Sequence, residues 1–125
     1  LKKEGDQRAK RHTTVYRPWG FFTFMEGNDR YRVKKVVLYP GKRMSLHRHY
    51  NRSEHWVVAR GTARVKLDGQ DFVMGSGEST YVPRGSPHIV ENPGKIPLEL
   101  LEVQIGDYLS EEDVERVGRD GVEDF

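Results

Sequence analysis

The chain is expected to fold as an all-β domain, on three observations. Short runs of β-branched and aromatic residues recur about eight times between Val15 and Ile105, each too short for a helix. Turn formers separate them: Pro40-Gly41, Arg60-Gly61, Asp68-Gly69, Pro83 with Gly85 and Pro87, and Pro93-Gly94. Helical signal is confined to the tail, and nothing repeats at solenoid spacing. This spacing predicts a closed or double-sheet architecture and does not choose between sandwich and barrel.

Residues 1–14 are expected to be a linker or disordered arm, because they are charged and lack an apolar stripe that could dock. Structure is expected to begin near Val15, with Pro18 and Gly20 bracketing Trp19. Phe21, Phe22, Phe24 and Met25 form one strand candidate. Tyr31, Val33, Val36, Val37 and Leu38 form the next, stopped by Pro40-Gly41. His55 to Ala59 and Ala63 to Leu67 are short β-rich runs. Asp68-Gly69, between Val65-Lys66-Leu67 and Gln70-Asp71-Phe72-Val73, favours positive φ angles and predicts a two-residue type I′ hairpin. Ser79 to Val82, His88 to Glu91 and Leu98 to Ile105 complete the strands. A short C-terminal helix is expected from Ser110, whose hydroxyl would cap a first turn of Glu111, Glu112 and Asp113, with Val114 and Val117 three apart. The domain is therefore expected to span 15–117, leaving 118–125 as a tail.

A length of 125 residues supports one core. With 35% hydrophobic and 32% charged residues that core is thin, which suits a small barrel. No apolar run approaches the ~20 residues needed to cross a bilayer. The charged start is unlike a secretory signal, and the lack of an initiator Met suggests a piece of a longer chain. Cysteine is absent, so disulfides and thiolate chemistry are excluded, and a cytoplasmic location is expected. The net charge of +2 is uneven: Lys2, Lys3, Arg8, Lys10 and Arg11 against Glu4 and Asp6 put +3 on residues 1–14, leaving −1 for the rest. With the excess in a low-complexity arm and no aromatic platform beside it, no nucleic-acid partner is expected.

Four of the five histidines fall in two segments about thirty residues apart. His47 and His49 are two apart, so on a strand they project to one face, as two ligands on one ion must. Glu54 follows beyond the turn Asn51-Arg52-Ser53 and can return on the next strand, while His88 must come from a separate strand pair. Three imidazoles and a carboxylate form a ligand set suited to a borderline divalent metal. A lone pair of histidines at this spacing is more often structural; the carboxylate and surrounding turn residues weigh against that here. His55 should point away from Glu54 and is read as structural, and His12 lies in the arm with no role.

The spacing Gly41, five residues, His47, one, His49, four, Glu54, six, Gly61 matches the first cupin motif without a gap. Gly77, five residues, Pro83, one, Gly85, two, His88, three, Asn92 matches the second. The resemblance implies a double-stranded β-helix (a cupin, or jelly-roll, barrel) holding a metal on His47, His49, Glu54 and His88. A narrower likeness surrounds the motifs: Arg17-Pro18-Trp19-Gly20, Tyr31-Arg32-Val33-Lys34, Ser53-Glu54-His55-Trp56-Val57-Val58, Glu91-Asn92-Pro93-Gly94-Lys95-Ile96-Pro97-Leu98-Glu99 and Gly106-Asp107-Tyr108-Leu109. These stretches resemble the type II mannose-6-phosphate isomerase domain over roughly residues 15–117. In that family the cupin usually follows a mannose-1-phosphate guanylyltransferase domain, and the arm resembles the connector between the two. Family members often carry Gln where His47 stands, and His where Tyr50 and Asn51 stand, a departure that bears on the preferred ion. No glycine-rich nucleotide loop precedes the barrel, so this chain alone is not expected to make GDP-mannose.

The activity implied is metal-dependent interconversion of mannose 6-phosphate and fructose 6-phosphate through a cis-enediol. Such chemistry needs a Lewis acid on two oxygens, a base beside the carbon and cations for the phosphate. Arg52, in the turn between the ligands, is the catalytic candidate, with Arg84 and Lys95 as substrate-binding cations. No side-chain base is assignable, since Glu54 is committed to metal and His55 points outward, which leaves metal-bound hydroxide as an alternative. The ion, among Zn, Mn, Co, Fe and Ni, is not distinguished. Two other readings use the same ligands: a different metal-dependent cupin enzyme such as a dioxygenase, and a non-catalytic sugar-binding or regulatory cupin. Exposed strand edges and the tail make a homodimer the expected assembly.

Overall fold

Alternation of burial writes the strands that carry the site. In β5 (Arg52–Arg60) every second side chain from Arg52 to Val58 is buried, and β10 (Leu98–Gly106) repeats the pattern through Leu98, Leu100, Glu102 and Gln104. In a computed structural model the described residues are 13–106, 109, 113, 115 and 116. The other strands are β1 (Thr14–Arg17), β2 (Gly20–Gly27), β3 (Tyr31–Leu38), β4 (His47–Arg48), β6 (Ala63–Leu67), β7 (Gln70–Met74), β8 (Ser79–Val82), β9 (His88–Glu91) and β11 (Glu115–Arg116).

These strands form two antiparallel sheets, β1-β2-β3-β10-β5-β8 and β11-β4-β9-β6-β7. Their inner faces enclose a core of Phe22, Val36, Leu38, Trp56, Val58, Val65, Leu98 and Leu100. The longest pairings, β10 with β3 and with β5, put Glu102 opposite both Lys34 and Trp56 on the inner face. Polar side chains thus enter the interior at one end of an otherwise apolar layer.

The motif glycines earn their places by conformation. Gly41, Gly61, Gly77 and Gly85 take φ of 77°, 88°, 88° and 78°, in the left-handed region that a side chain disfavours. Asn92 then ties the two motifs together. Its carbonyl accepts from Gly41 N at 2.8 Å, and its amide nitrogen donates to Leu38 O and Ile96 O at 2.9 and 2.8 Å. Asp68 and Gly69, at φ 53° and 83°, make the expected hairpin between β6 and β7.

The tail differs from expectation. Residues 110–112, 114 and 117, which carry most of the anticipated helix, lie outside the described residues, as do 118–125, the first twelve residues and His12. Glu115 and Arg116 form strand β11, paired with Arg48 and His47 rather than helical. Without β11 the backbone of β4 would be an unpaired sheet edge, and closing it outweighs a two-valine helical stripe with little to bury. Among the described residues the first strand, β1, begins at Thr14 and lies against β2.

Candidate metal centre

His47 opens β4 and lies opposite His88, the first residue of β9. His49 follows in the turn after β4, where Gly85 N donates to its carbonyl at 2.7 Å. The second-motif turn thus anchors the first-motif ligand strand. The three rings sit 4.7–5.2 Å apart between centroids, and their ligand nitrogens all lie within 4.8 Å of one another.

Each Nδ1 faces a backbone carbonyl: His47 to Ser45 O at 2.7 Å, His49 to Asp113 O at 2.7 Å and His88 to Ser86 O at 2.9 Å. A carbonyl only accepts, so Nδ1 carries the proton in all three rings, and each Nε2 keeps its lone pair. Burial holds the imidazoles neutral. It pushes His47 down to about 3, helped by the neighbouring His88 and His49, and His88 down to about 4. His49 is lowered too, by burial first and by the Arg52 charge. Three neutral imidazoles with fixed tautomers and converging lone pairs suit a divalent ion such as Zn, Mn, Co, Fe or Ni.

Glu54 stands beside this cluster, with Oε2 3.5 Å from His49 Nε2. Its oxygens already have partners. Trp56 Nε1 donates to Oε1 at 2.7 Å and Arg52 Nε donates to Oε2 at 2.9 Å. Arg52, 2% exposed, also directs Nη2 at His49 Nε2, 3.1 Å away. Burial would raise the Glu54 carboxyl, but the Arg52 guanidinium and nearby imidazoles outweigh it and hold the group well below the usual carboxylate range. Arg52 is not a loop cation: it is the first residue of β5 and points into the barrel.

The cluster lines a cavity of ≈ 270 Å³ whose other walls include Trp19, Phe22, Met44, Lys34 and Glu102, with the exposed Arg17 at its edge. Arg84 and Lys95 are both exposed and absent from that lining. Arg84 projects outward from the turn whose backbone serves His49, and Lys95 sits in the turn that Asn92 closes. The cavity cations are instead Arg17, Lys34 and Arg52. Sequence reasoning missed Lys34, Glu102 and Gln104, although one signal was available. In Leu98-Glu99-Leu100-Leu101-Glu102-Val103-Gln104, Glu102 and Gln104 share the parity of the buried Leu98 and Leu100. His55 points outward as expected, against the Tyr81 ring at 4.8 Å.

The tail contributes as well. Asp113 accepts from Tyr50 N at 3.0 Å and Asn51 N at 2.8 Å, while its carbonyl receives His49 Nδ1. Its carboxylate caps the turn that carries His49 instead of starting a helix.

Residues 4–119 match the family described as mannose-6-phosphate isomerase C-terminal. The chain belongs to that family. It is 47% identical over 116 residues to a mannose-1-phosphate guanylyltransferase of Escherichia coli (strain K12), covering 93% of this chain and 24% of that protein. It is 45% identical over 117 residues to the alginate biosynthesis protein AlgA of Pseudomonas aeruginosa, covering 94% and 24%. The chain therefore spans about a quarter of the length of the curated relatives it matches. Among solved structures, a Klebsiella pneumoniae protein with a double-stranded β-helix domain superposes with a TM-score of 0.73 at 15% identity, covering 88% of both chains. That likeness establishes the double-stranded β-helix, the cupin fold expected from the two motifs. No helix among the described residues is long and apolar enough to cross a membrane.

Proposed function

We propose that this domain is a metal-dependent aldose–ketose isomerase that interconverts mannose 6-phosphate and fructose 6-phosphate through a cis-enediol. The observation that carries the reading is the trio of His47, His49 and His88, neutral, with each Nδ1 tied to a carbonyl and each Nε2 turned to the others. These three would hold the ion, with Glu54 supplying balancing negative charge. When bound, a divalent ion would supply Lewis acidity that stabilises enediolate charge. Arg52, fixed by Glu54, would turn its guanidinium to the same developing negative charge. Arg17 and Lys34 give the cavity the cations a phosphate requires, Arg17 from the exposed edge and Lys34 from the wall. Trp19 offers an apolar face to the sugar.

Membership of the isomerase family supports the reaction class, and the mixed cationic and carboxylate lining suits a sugar phosphate better than the apolar pocket a dioxygenase would use. A second reading, a non-catalytic sugar-binding module, is favoured by the guanylyltransferase names of the relatives. In the longer polypeptide a nucleotidyltransferase domain would accompany this cupin, in a cytoplasmic homodimer feeding GDP-mannose and polysaccharide synthesis. The test is isomerase turnover by metal-stripped protein titrated with Zn²⁺, Mn²⁺, Co²⁺, Fe²⁺ and Ni²⁺. Turnover that needs metal and vanishes in His88→Ala supports the isomerase. Stoichiometric metal binding with no turnover under any ion supports the binding module.

A further inference from the structure

The isomerase reading leaves one role open, the group that moves the proton. We propose that Glu102 is that group, taking the hydrogen from C2 of the open-chain aldose and returning it to C1. The assignment rests on the reading above and adds to it a residue outside both cupin motifs.

Among the described residues lining the cavity, the only carboxylates are Glu54 and Glu102. Glu54 is held at both oxygens, by Trp56 Nε1 and Arg52 Nε. The three histidines have their Nδ1 protons on carbonyls and turn Nε2 toward one another. Glu102 is held differently. Gln104 Nε2 donates to its Oε1 at a long 3.3 Å, and Lys34 Nζ stands 4.0 Å from the same oxygen. It projects from the middle of β10 on the inner face, opposite Trp56 of β5, and is 4% exposed.

The reaction suits a single carboxylate on one wall. Glu102 takes the C2 hydrogen as a proton, the C2–H pair becomes the C1=C2 double bond, and the C1 carbonyl pair moves onto O1. The O2 hydroxyl proton passes to O1, an O2 pair re-forms the carbonyl at C2, and the C1=C2 pair takes the proton back from the carboxylic acid at C1. No oxidant or other co-reactant is needed. Burial pushes the Glu102 carboxyl up to about 7, aided by the Glu54 charge and opposed by Lys34 and Arg52. A base titrating near neutrality can both take and return a proton. The charged and titratable groups around it are Lys34 from β3, Arg52 and Glu54 from β5, and His47, His49 and His88 across the cavity.

A buried Glu102 could instead serve only to balance Lys34, so the test uses readouts that structure alone would not move. In metal-loaded Glu102→Gln, kcat is expected to fall at least ~10²-fold, with KM within about threefold of wild type. Metal stoichiometry by calorimetry should be unchanged. In D2O the wild type should place solvent deuterium at C1 of fructose 6-phosphate, and the variant should not. Lys34→Met, which keeps the carboxylate, should move the acid limb of kcat/KM to higher pH, giving a second measurement should Glu102→Gln fold poorly. Glu102→Gln turning over within threefold of wild type, or an acid limb unmoved in Lys34→Met, overturns the assignment while leaving the isomerase standing. A wild type inactive with every metal sinks the isomerase reading and this assignment together.

Discussion

Replacing Arg52 by Met removes the cation that makes a buried carboxylate tolerable. Glu54 is 2% exposed, and after the change only Trp56 Nε1 would remain bonded to it. Breaking one side of a buried ion pair costs about 3–5 kcal/mol, mostly the penalty of the charge left behind. The sign of the pH response should invert. In the wild type Glu54 is depressed, so its contribution is present above the unfolded value near ~4.5 and is lost on acidification. Without Arg52, burial prevails and the folded carboxyl rises above that value. Its contribution is then full at low pH and lost as pH climbs. Urea unfolding of the metal-free protein at pH 5 and pH 8 reads both effects. Arg52→Met should be destabilised by roughly 3 kcal/mol or more at pH 8 and distinctly less at pH 5. Adding Glu54→Gln, which keeps an acceptor for Trp56 and deletes the charge, should restore most of the loss. A single variant costing under ~1 kcal/mol at pH 8, or a double variant no better than the single, would refute the argument.

Three further outcomes follow from the same contacts. The metal-free protein should weaken in acid, because His47 and His88 are held neutral near 3 and 4 and must charge on unfolding. Their contribution is full above ~6.5 and lost below it, about 2 kcal/mol for His88 by pH 5. The melting curve is best followed in Glu102→Gln, since Glu102 acts in the opposite sense between ~4.5 and 7, and a flat profile would rule the idea out. Trp56→Phe should cost about 1–3 kcal/mol in chemical denaturation by leaving Glu54 Oε1 without its indole donor, and a neutral result would mean that bond carries no weight. Asp113→Ala should cost about 3 kcal/mol by freeing the Tyr50 and Asn51 amides. It should also loosen metal binding ~10-fold, as measured by competition with a chelating dye. Unchanged affinity would show that His49 is positioned without the tail.

What the sequence revealed was the part governed by local rules. The hairpin at Asp68-Gly69 follows from positive φ, and the four motif glycines follow from left-handed turns. Ser79–Val82 and His88–Glu91 follow from β-rich runs between turn formers, and both bounds agree with the structure. The two-residue strands β4 and β11 are too short to leave a pattern, and they exist because their edges meet in space. Cation placement was illegible for a different reason. Arg84 lies close to His88 in sequence, and Arg52 close to His49, yet one is exposed and the other is 2% exposed. Only strand parity separates them: Arg52 shares the inward parity of Glu54 and Trp56, while Arg84 sits in a turn that has none. Asp113 was legible as a helix-friendly acid, and its actual partners, two amides more than sixty residues away, have no local signature.

Glu54 and Glu102 occupy neighbouring inner positions on paired strands, inside one cavity, and their environments drive them apart. Burial raises both carboxyls. For Glu54 a guanidinium at 2.9 Å overcomes it and keeps the group ionised. For Glu102 the nearest cation stands 4.0 Å away and the Glu54 charge adds to the penalty, so its carboxyl rises to about 7. A cavity that must keep a permanent anion beside three neutral imidazoles, and also exchange a proton near neutral pH, needs the two carboxylates set apart in this way. The separation depends on Arg52 being committed to Glu54. Were the guanidinium shared with Glu102, both groups would stay ionised and neither could return a proton to carbon.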